Sequence, residues 1–459
     1  MTTQIVTLDP ISRIEGHLRI DLEIKDKVVV AALSSGTSFR GFEPILVGRD
    51  PRDAPHITQR ICGVCPVPHA RCSTAAFEAA AGIQVNDQAR LIRNIIEATN
   101  FLDSHLLHFY VLALPDFVSG LPSAGAWPAG QGPRVWENRA GLNVPSLVAN
   151  YVQSLQIRRD CHAMGALLGG KMPHPVGIVP GGATALVTAD MKSQLATCAG
   201  NVKRFVETAY QTDMNAIAAA FPEYQTIGAS GADFLCVGGY PEANGTQLFA
   251  PGVFKVAQNA LIALDASKIG ESVARSRYAY SAPAHPSAGV TRADLTRTEA
   301  YSFSKAPRVA GSPCEVGPLA RAVVGGRAPA YRGVHARHMS RLSEALLLVS
   351  RLADWVNSLT VGAQACPTFP KPPVSGSGVG LVEAPRGSLG HWLTVQNSVI
   401  ANYQVISPTT WNGSPRDEQA LAGPLEKALE GVTLKDESDP IEVHRIIHSF
   451  DPCLQCAVH

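Results

Sequence analysis

The sequence has no excess of charge of either sign: 39 Lys and Arg stand against 38 Asp and Glu in 459 residues, for a formal net charge of +1. That balance excludes the basic surface that holds nucleic acid or an anionic membrane. Long hydrophobic runs are missing too. Apolar stretches such as 28–33 and 345–349 are far too short to cross a bilayer. The N-terminus, Met1-Thr-Thr-Gln-Ile-Val-Thr-Leu-Asp-Pro10, shows no basic segment followed by an apolar one, so no signal peptide is read there. The expectation is a soluble chain, or one held at a membrane by something else. Charged residues make up only 17% while hydrophobic residues reach 46%, which excludes a disordered chain and suggests surface covered by partner subunits. Cysteine is scarce, ten residues in all, far below the density of a disulfide scaffold. Repeats of fixed period and low-complexity tracts are absent.

Length alone allows about three average domains or one integrated fold, with ~75% of the unfolded surface available for burial. Apolar residues alternate at Leu18, Ile20, Leu22 and Ile24, and a second run covers 28–33, so two strands flank a tight turn at Asp26-Lys27. A loop rich in Gly, Arg, Asp and Pro is expected over 34–57, and a helix over 73–81. Leu91, Ile95, Leu102, Leu106 and Phe109 recur at helical spacing and predict a helix over 87–114, stopped by Pro115. Further long helices are read at 144–168, 188–220 and 334–359. Pro/Gly-rich connections fall at 120–133, 172–182 and 366–380, and short strands at 379–382, 391–395 and 401–406. The fold class is α+β, mainly α: a central long-helix bundle with small mixed α/β pieces built from both chain ends. The chain divides into N-terminal strands and a first metal loop (1–86), a helical core (87–360) and a C-terminal α/β segment with a second metal loop (361–459).

Four cysteines form two Cys-x-x-Cys pairs at opposite ends of the chain. The first lies in Arg60-Ile-Cys62-Gly-Val-Cys65-Pro-Val-Pro-His69, the second in Asp451-Pro-Cys453-Leu-Gln-Cys456-Ala-Val-His459. A turn of that length brings two sulfurs to one side of the backbone, where they can converge on one ion. Spacing alone leaves open a four-cysteine zinc staple, an iron–sulfur cluster or a redox dithiol. A zinc staple has no use for Arg60, Glu15, Asp451 and a chain-terminal His. The remaining six cysteines are scattered and read as small buried hydrophobes. His105 and His108, three apart on one helix, have a spacing that can bind metal but read as core residues.

Several further segments accompany the cysteine pairs: Arg13-Ile-Glu-Gly-His17, Arg40-Gly-Phe-Glu43, Arg49-Asp-Pro-Arg-Asp53, Ser104-His-Leu-Leu-His-Phe109, Lys305-Ala-Pro-Arg308, Glu315-Val-Gly-Pro-Leu-Ala-Arg321, Glu383-Ala-Pro-Arg-Gly387 and Pro408-Thr-Thr-Trp-Asn412. In this order, and over nearly the whole chain, they resemble the large subunit of a nickel–iron hydrogenase. The resemblance implies reversible heterolytic cleavage of H2 to protons and electrons at a Ni–Fe centre whose iron carries CO and CN. It makes Cys62 and Cys453 terminal nickel ligands and Cys65 and Cys456 bridges to iron, a soft donor set suited to both metals. Arg386 overhangs the metals, Thr409 and the backbone around Pro385 supply donors to cyanide, and Glu15 carries the proton away. Asp116 and Asp451 fix the pose of Arg386, although Leu114-Pro-Asp116 departs from the family's usual Leu-Asp-Trp. His69 donates to a cysteine sulfur. Glu43, the Val405 carbonyl and His459 resemble the ligands of a second ion, magnesium or iron.

No second tight cysteine cluster remains in the sequence, so the resemblance implies an iron–sulfur small subunit as electron carrier, in a heterodimer or a higher assembly. It also implies a maturation protease and nickel-insertion proteins, because relatives are commonly made with an extension after the final His. A chain that stops at His459 is either the processed form or one whose gene lacks the extension. A hydrogen sensor of slow turnover is the alternative, and a quinone-site relative of respiratory complex I, which lacks the four cysteines, is a remote one. The segment 402–412 is closest to membrane-linked uptake enzymes. Periplasmic placement, or membrane association through the partner, is therefore expected over the cytoplasm, with export on the partner's signal.

Overall fold

The computed structural model describes residues 3–118, 139 and 141–459, so the Pro/Gly-rich stretch expected over 120–133 lies outside them. The fold is mixed α/β. Its long helices are Pro66–Ala81 (α1), Asp87–Leu106 (α2), Val144–Gly169 (α3), Ala189–Phe205 (α4) and Val334–Ser358 (α5). Local chemistry sets their starts. Asn86, Asn143 and Thr188 accept the first free N–H groups of α2, α3 and α4. α1 begins earlier than the 73–81 expectation, at Pro66 directly after Cys65, because a proline at the first helical position loses no hydrogen bond. α2 widens into a π turn at Leu107–Ala113 and ends at Leu114–Asp116, where Pro115 has no N–H to continue it. The helix expected over 188–220 is continuous but has a π segment, Val206–Tyr210, before Gln211–Ala220.

α2 packs against α3 and α5, and α4 packs against the same two. Ile92, Ile95, Ile96, Phe101 and Leu102 of α2 meet Leu342, Leu348 and Leu352 of α5 in one buried cluster. Two expectations need correction. The 34–57 stretch is not all loop: it holds short helices at Phe42–Leu46 and Ala54–Thr58, too brief to show periodicity. The region 221–333 carries several small sheets that the pattern did not show. One of these has strands Ala260–Ile262, Gly252–Lys255, Asp233–Cys236 and Cys314–Glu315 in that order, each only two to four residues long.

Two antiparallel three-stranded sheets come from the chain ends. The N-terminal one is β1 (Gln4–Leu8), β2 (Leu18–Lys25) and β3 (Val28–Gly36), with Asp26 and Lys27 at φ 51° and 65° in the turn. The C-terminal one is β4 (Gly376–Ala384), β5 (Gly387–Gln396) and β6 (Val399–Ile406). β4 lies directly on α1. Gly378 and Gly380, on one face of β4, meet Ala76 and Cys72 on one face of α1. A Cβ at Gly378 would stand 2.0 Å from the Ala76 carbonyl oxygen, and one at Gly380 would stand 2.0 Å from that of Cys72. The absent side chains let the helix that follows the first cysteine pair press onto the sheet that precedes the second.

Glu426 shows what burial does to an ion in this fold. Its Oε1 accepts from the Ser34 N–H at 2.9 Å and the Tyr301 hydroxyl at 2.8 Å, while Oε2 has no hydrogen-bond partner. Burial pushes its pKa up to about 7, against these hydrogen bonds and nearby Arg416. The unfolded chain therefore releases this proton first as pH rises, and stability falls between about pH 4.5 and about pH 7 by up to ~3 kcal/mol. Glu426→Gln is expected to flatten that slope. Denaturant melts should show the variant gaining on the parent at pH 8 and not at pH 4.5.

Candidate metal centre

The four paired cysteines converge. Their sulfurs lie within 4.8 Å of one another, all buried and none in a disulfide. Across the two loops the first cysteines pair with each other and so do the second: Cys62 to Cys453 at 3.4 Å and Cys65 to Cys456 at 3.3 Å. Cys453 and Cys456 are 3.0 Å apart. Among the described residues they form the one group of three or more metal-binding side chains. Cys62 is extended, and its sulfur accepts from the N–H groups of Val64 at 3.2 Å and Cys65 at 3.3 Å. Cys65 sits at the start of α1, and Cys453 starts the short helix Leu454–Ala457. Asp451, at φ 56°, ends the helix Ile441–Phe450 and turns the chain into the second pair.

Several contacts stitch the chain ends together. The Glu15 carbonyl accepts from Leu454 N–H at 2.7 Å. The Arg40 guanidinium donates to the carbonyls of Arg60 at 3.0 Å and Gln455 at 3.1 Å, and also to that of Ile61, so it holds both cysteine loops.

The donor set fits a soft, multiply charged metal. Burial opposes ionisation of Cys62, Cys453 and Cys456. Cys62 is nonetheless held well below an ordinary thiol by hydrogen bonds from the other three and by Arg386, whereas burial and their neighbours push Cys453 and Cys456 well up. One thiolate in such a nest suppresses the next. Ionising all four takes a cation among them.

Arg386 is buried beside the nest. Its Nε donates to the Asp451 carbonyl at 3.0 Å, Nη2 lies 3.0 Å from Asp451 Oδ1, and Nη1 is buried without a partner. Burial works against its charge, but Asp451 and the thiols hold its pKa well above the ordinary value. Thr409 Oγ1 accepts from Cys453 N–H at 2.9 Å, which leaves its own proton to donate elsewhere. Pro385 has no N–H, and its carbonyl accepts from Arg321 at 3.0 Å, so any donor in that stretch comes from a neighbour. Glu15 is half-buried. Burial and the Cys62 charge raise its pKa, opposed by Arg386 and Arg40.

Two expected contacts are replaced by others. Asp116 does not hold Arg386. It pairs with Arg13 and with His448 Nδ1 at 2.5 Å, and its carbonyl accepts from Arg445 at 2.8 Å. Burial opposes its ionisation, but Arg13 and His448 hold the carboxyl far below the usual range. The proline before Asp116 ends the helix, and Arg13 is the cation that meets the carboxylate there. His69 has no hydrogen bond to a sulfur: Nδ1 faces His391 Nε2 at 3.1 Å and Nε2 is buried without a partner. His105 bonds to Glu344 at 2.7 Å and His108 to the His448 carbonyl at 2.7 Å, so the two do not share a site.

Glu43, Val405 and His459 do come together. Glu43 Oε1 accepts from the Val405 N–H at 2.8 Å and lies 3.4 Å from His459 Nε2. Its Oε2 faces Lys305 at 3.5 Å and the Thr291 hydroxyl. In an antiparallel strand a residue's N–H and C=O leave on the same edge, so the Val405 carbonyl also faces this cluster. Burial opposes the charge, but Lys305 and His459 bring the Glu43 pKa down to about 2. An ionised carboxylate with a carbonyl beside it suits a hard cation.

Comparison with known proteins decides the family. A model described as nickel-dependent hydrogenase matches residues 40–129, 134–329 and 326–459. The chain belongs to the nickel-dependent hydrogenase family. The periplasmic NiFeSe hydrogenase large subunit of Desulfomicrobium baculatum is 37% identical, with 99% of this chain and 94% of that protein covered. The Hydrogenase-2 large chain of Escherichia coli is 34% identical, covering 100% and 97%. The as-isolated, oxidised Ni-Fe-Se hydrogenase from D. vulgaris Hildenborough superposes with TM-score 0.94 at 36% identity over 100% of both chains. Selenium appears in the names of the Desulfomicrobium and D. vulgaris relatives, whereas the nest here is built from four cysteine sulfurs. No helix among the described residues is long and apolar enough to cross a membrane.

Proposed function

We propose that this chain is the catalytic large subunit of a nickel–iron hydrogenase that cleaves H2 reversibly and heterolytically. The observation that carries the reading is the nest of four buried sulfurs drawn from both chain ends. In it, Cys62 and Cys453 would hold nickel as terminal ligands, and Cys65 and Cys456 would be shared between nickel and iron. The cross-loop pairing of first with first and second with second supports that division. When bound, a Ni–Fe pair, with CO and CN on iron, would supply the soft Lewis-acid and redox chemistry that splits H2.

The protein's own groups do the rest. Arg386, fixed by Asp451, aims a permanent charge and a free N–H into a dry site. Thr409 has a hydroxyl proton to donate to a bound anion. Glu15 accepts the proton: burial beside Cys62 raises its pKa toward the working range. Asp116 acts at one remove, since its clamp on Arg13 anchors the loop before β2 that carries Glu15. Glu43, the Val405 carbonyl and His459 hold a second ion, magnesium or iron, that ties the last residue to the fold.

Electrons leave through a partner, because no further metal-binding cluster exists among the described residues. The relatives' designation as large subunits implies a small one, and an iron–sulfur protein supplies the needed wire. A dedicated maturation protease and nickel-insertion proteins serve the site, and the periplasm or the membrane face, reached through the partner, is where the pair works, in line with the periplasmic relative. The whole chain works as one integrated unit, with the helix bundle backing the two metal loops.

Glu15→Gln tests the proton route. Turnover and H2/D2O exchange are expected to fall about 100-fold or more with nickel content unchanged. Exchange at the parental rate would remove Glu15 from the route.

A further inference from the structure

We propose that Arg321 is a positioning residue for Arg386: it grips the backbone of the turn that carries Arg386 and so fixes where that side chain starts. This deepens the metal-centre reading and rests on it. β4 and β5 form a hairpin in which Ala384 pairs with Gly387, so Pro385 and Arg386 are the two residues of the turn. Asp451 holds the far end of the Arg386 side chain but leaves its origin unset. Arg321 lies on the short helix Pro318–Val324 and is buried. Its Nη1 donates to the Ala384 carbonyl at 2.9 Å and its Nη2 to the Pro385 carbonyl at 3.0 Å. The remaining donors go to carboxylates: Nε to Glu344 Oε2 at 2.7 Å, Nη2 to Glu344 Oε1 at 2.8 Å and Nη1 to Glu383 Oε2 at 2.6 Å. A guanidinium has five N–H donors, and these five contacts use them all.

The fork is itself held. Glu344, on α5, also faces His105 Nε2 of α2 at 2.7 Å. Glu383, the residue before Ala384, accepts through Oε1 from the Val237 N–H at 2.9 Å and the Ser388 hydroxyl at 2.7 Å. The guanidinium is therefore pinned between the helix bundle and the end of β4, and the two carbonyls must come to it. In a trans peptide C=O and N–H point opposite ways, so holding the Pro385 carbonyl also turns the Arg386 N–H away from Arg321. Backbone walls the turn as well. A Cβ at Gly317 would stand 2.8 Å from the Arg386 carbonyl oxygen. Asn412 locks the residue before that glycine with both amide atoms: the Val316 N–H donates to Oδ1 at 3.0 Å, and Nδ2 donates to the Val316 carbonyl at 3.0 Å. A lysine at 321 keeps the charge but not the geometry, because one ammonium point cannot serve two carbonyls and two carboxylates spread around a planar fork.

The test is infrared spectroscopy of the holoenzyme, reading the CO and CN stretches, beside nickel content, kcat and the KM for H2 on the same samples. Arg321→Lys is expected to keep its nickel, to shift the cyanide bands as Arg386→Lys does, and to lose about 100-fold in kcat with KM unchanged, the scale of a misplacement of about 1 Å. In the double variant Arg321→Lys/Arg386→Lys the losses should not add, because one residue acts through the other. Should Arg321→Lys fail to fold, the set Arg321→Gln/Glu344→Gln/Glu383→Gln removes the three buried charges together and is expected to give the same band shift. Parental bands and kcat in a nickel-loaded variant, or losses that add in full or merely follow nickel content, overturn the inference and leave the metal centre standing. Parent protein without nickel overturns the metal-centre reading, and the inference falls with it.

Discussion

Cys65→Ser purifies without nickel and turns over no hydrogen. The loss is expected to be complete because the site has no spare donor. Each sulfur is buried within 4.8 Å of the other three, so no side chain or water can move into a vacated position without unpacking both loops. A serine hydroxyl keeps its proton at any working pH and offers a hard oxygen where soft thiolate is needed. Cys72→Ser is the control. Cys72 lies on the same helix, but its thiol donates to the Gly380 carbonyl at 3.1 Å, and burial pushes its pKa well up. A neutral thiol bound to a backbone carbonyl is no ligand, so that variant keeps its nickel. Metal analysis of the two proteins side by side checks the pair of outcomes. Nickel retained in Cys65→Ser would show that the sulfurs are not the ligands.

Gly378→Ala is expected to destabilise the protein by more than about 3 kcal/mol, without touching any side chain at the site. The added Cβ would stand 2.0 Å from the Ala76 carbonyl oxygen and 2.5 Å from the Ala80 nitrogen, both backbone atoms that cannot swing aside. Relief requires lifting α1 from β4. Since α1 starts directly after Cys65 and carries His69, the lift also pulls the first cysteine pair away from the second. Gly63→Ala is the contrast: a Cβ there meets nothing within 4 Å. Thermal melts of the two variants, with nickel content alongside, check the difference. Equal stability would mean that helix and strand are not in backbone contact.

The metal centre was far more legible in the sequence than the contacts around it. Two Cys-x-x-Cys pairs are short-range patterns, and a turn of four residues constrains both sulfurs whatever the rest of the fold does. Strongly periodic helices such as Asp87–Leu106 were legible for the same reason, since their signal repeats along one stretch of chain. What the sequence does not encode locally was missed or misplaced. The His69–His391 contact spans 322 residues and has no spacing that announces it. Asp116 illustrates the converse. The resemblance implies an ion-paired carboxylate facing Arg386, but only the fold brings Arg13 and His448 to it. The small sheets between 221 and 333 have strands too short for alternation to register. The glycine row of β4 read as a Pro/Gly-rich connection, because glycine used for close approach and glycine used for a turn look alike in a sequence.

Nickel K-edge X-ray absorption on the purified protein tests the central claim most directly. Four sulfur neighbours around nickel, with an iron scatterer just beyond them, is the predicted result, since the two cysteine loops already bring four sulfurs to one point. A nickel shell of nitrogen and oxygen alone, or a preparation holding only zinc between those sulfurs, would contradict it.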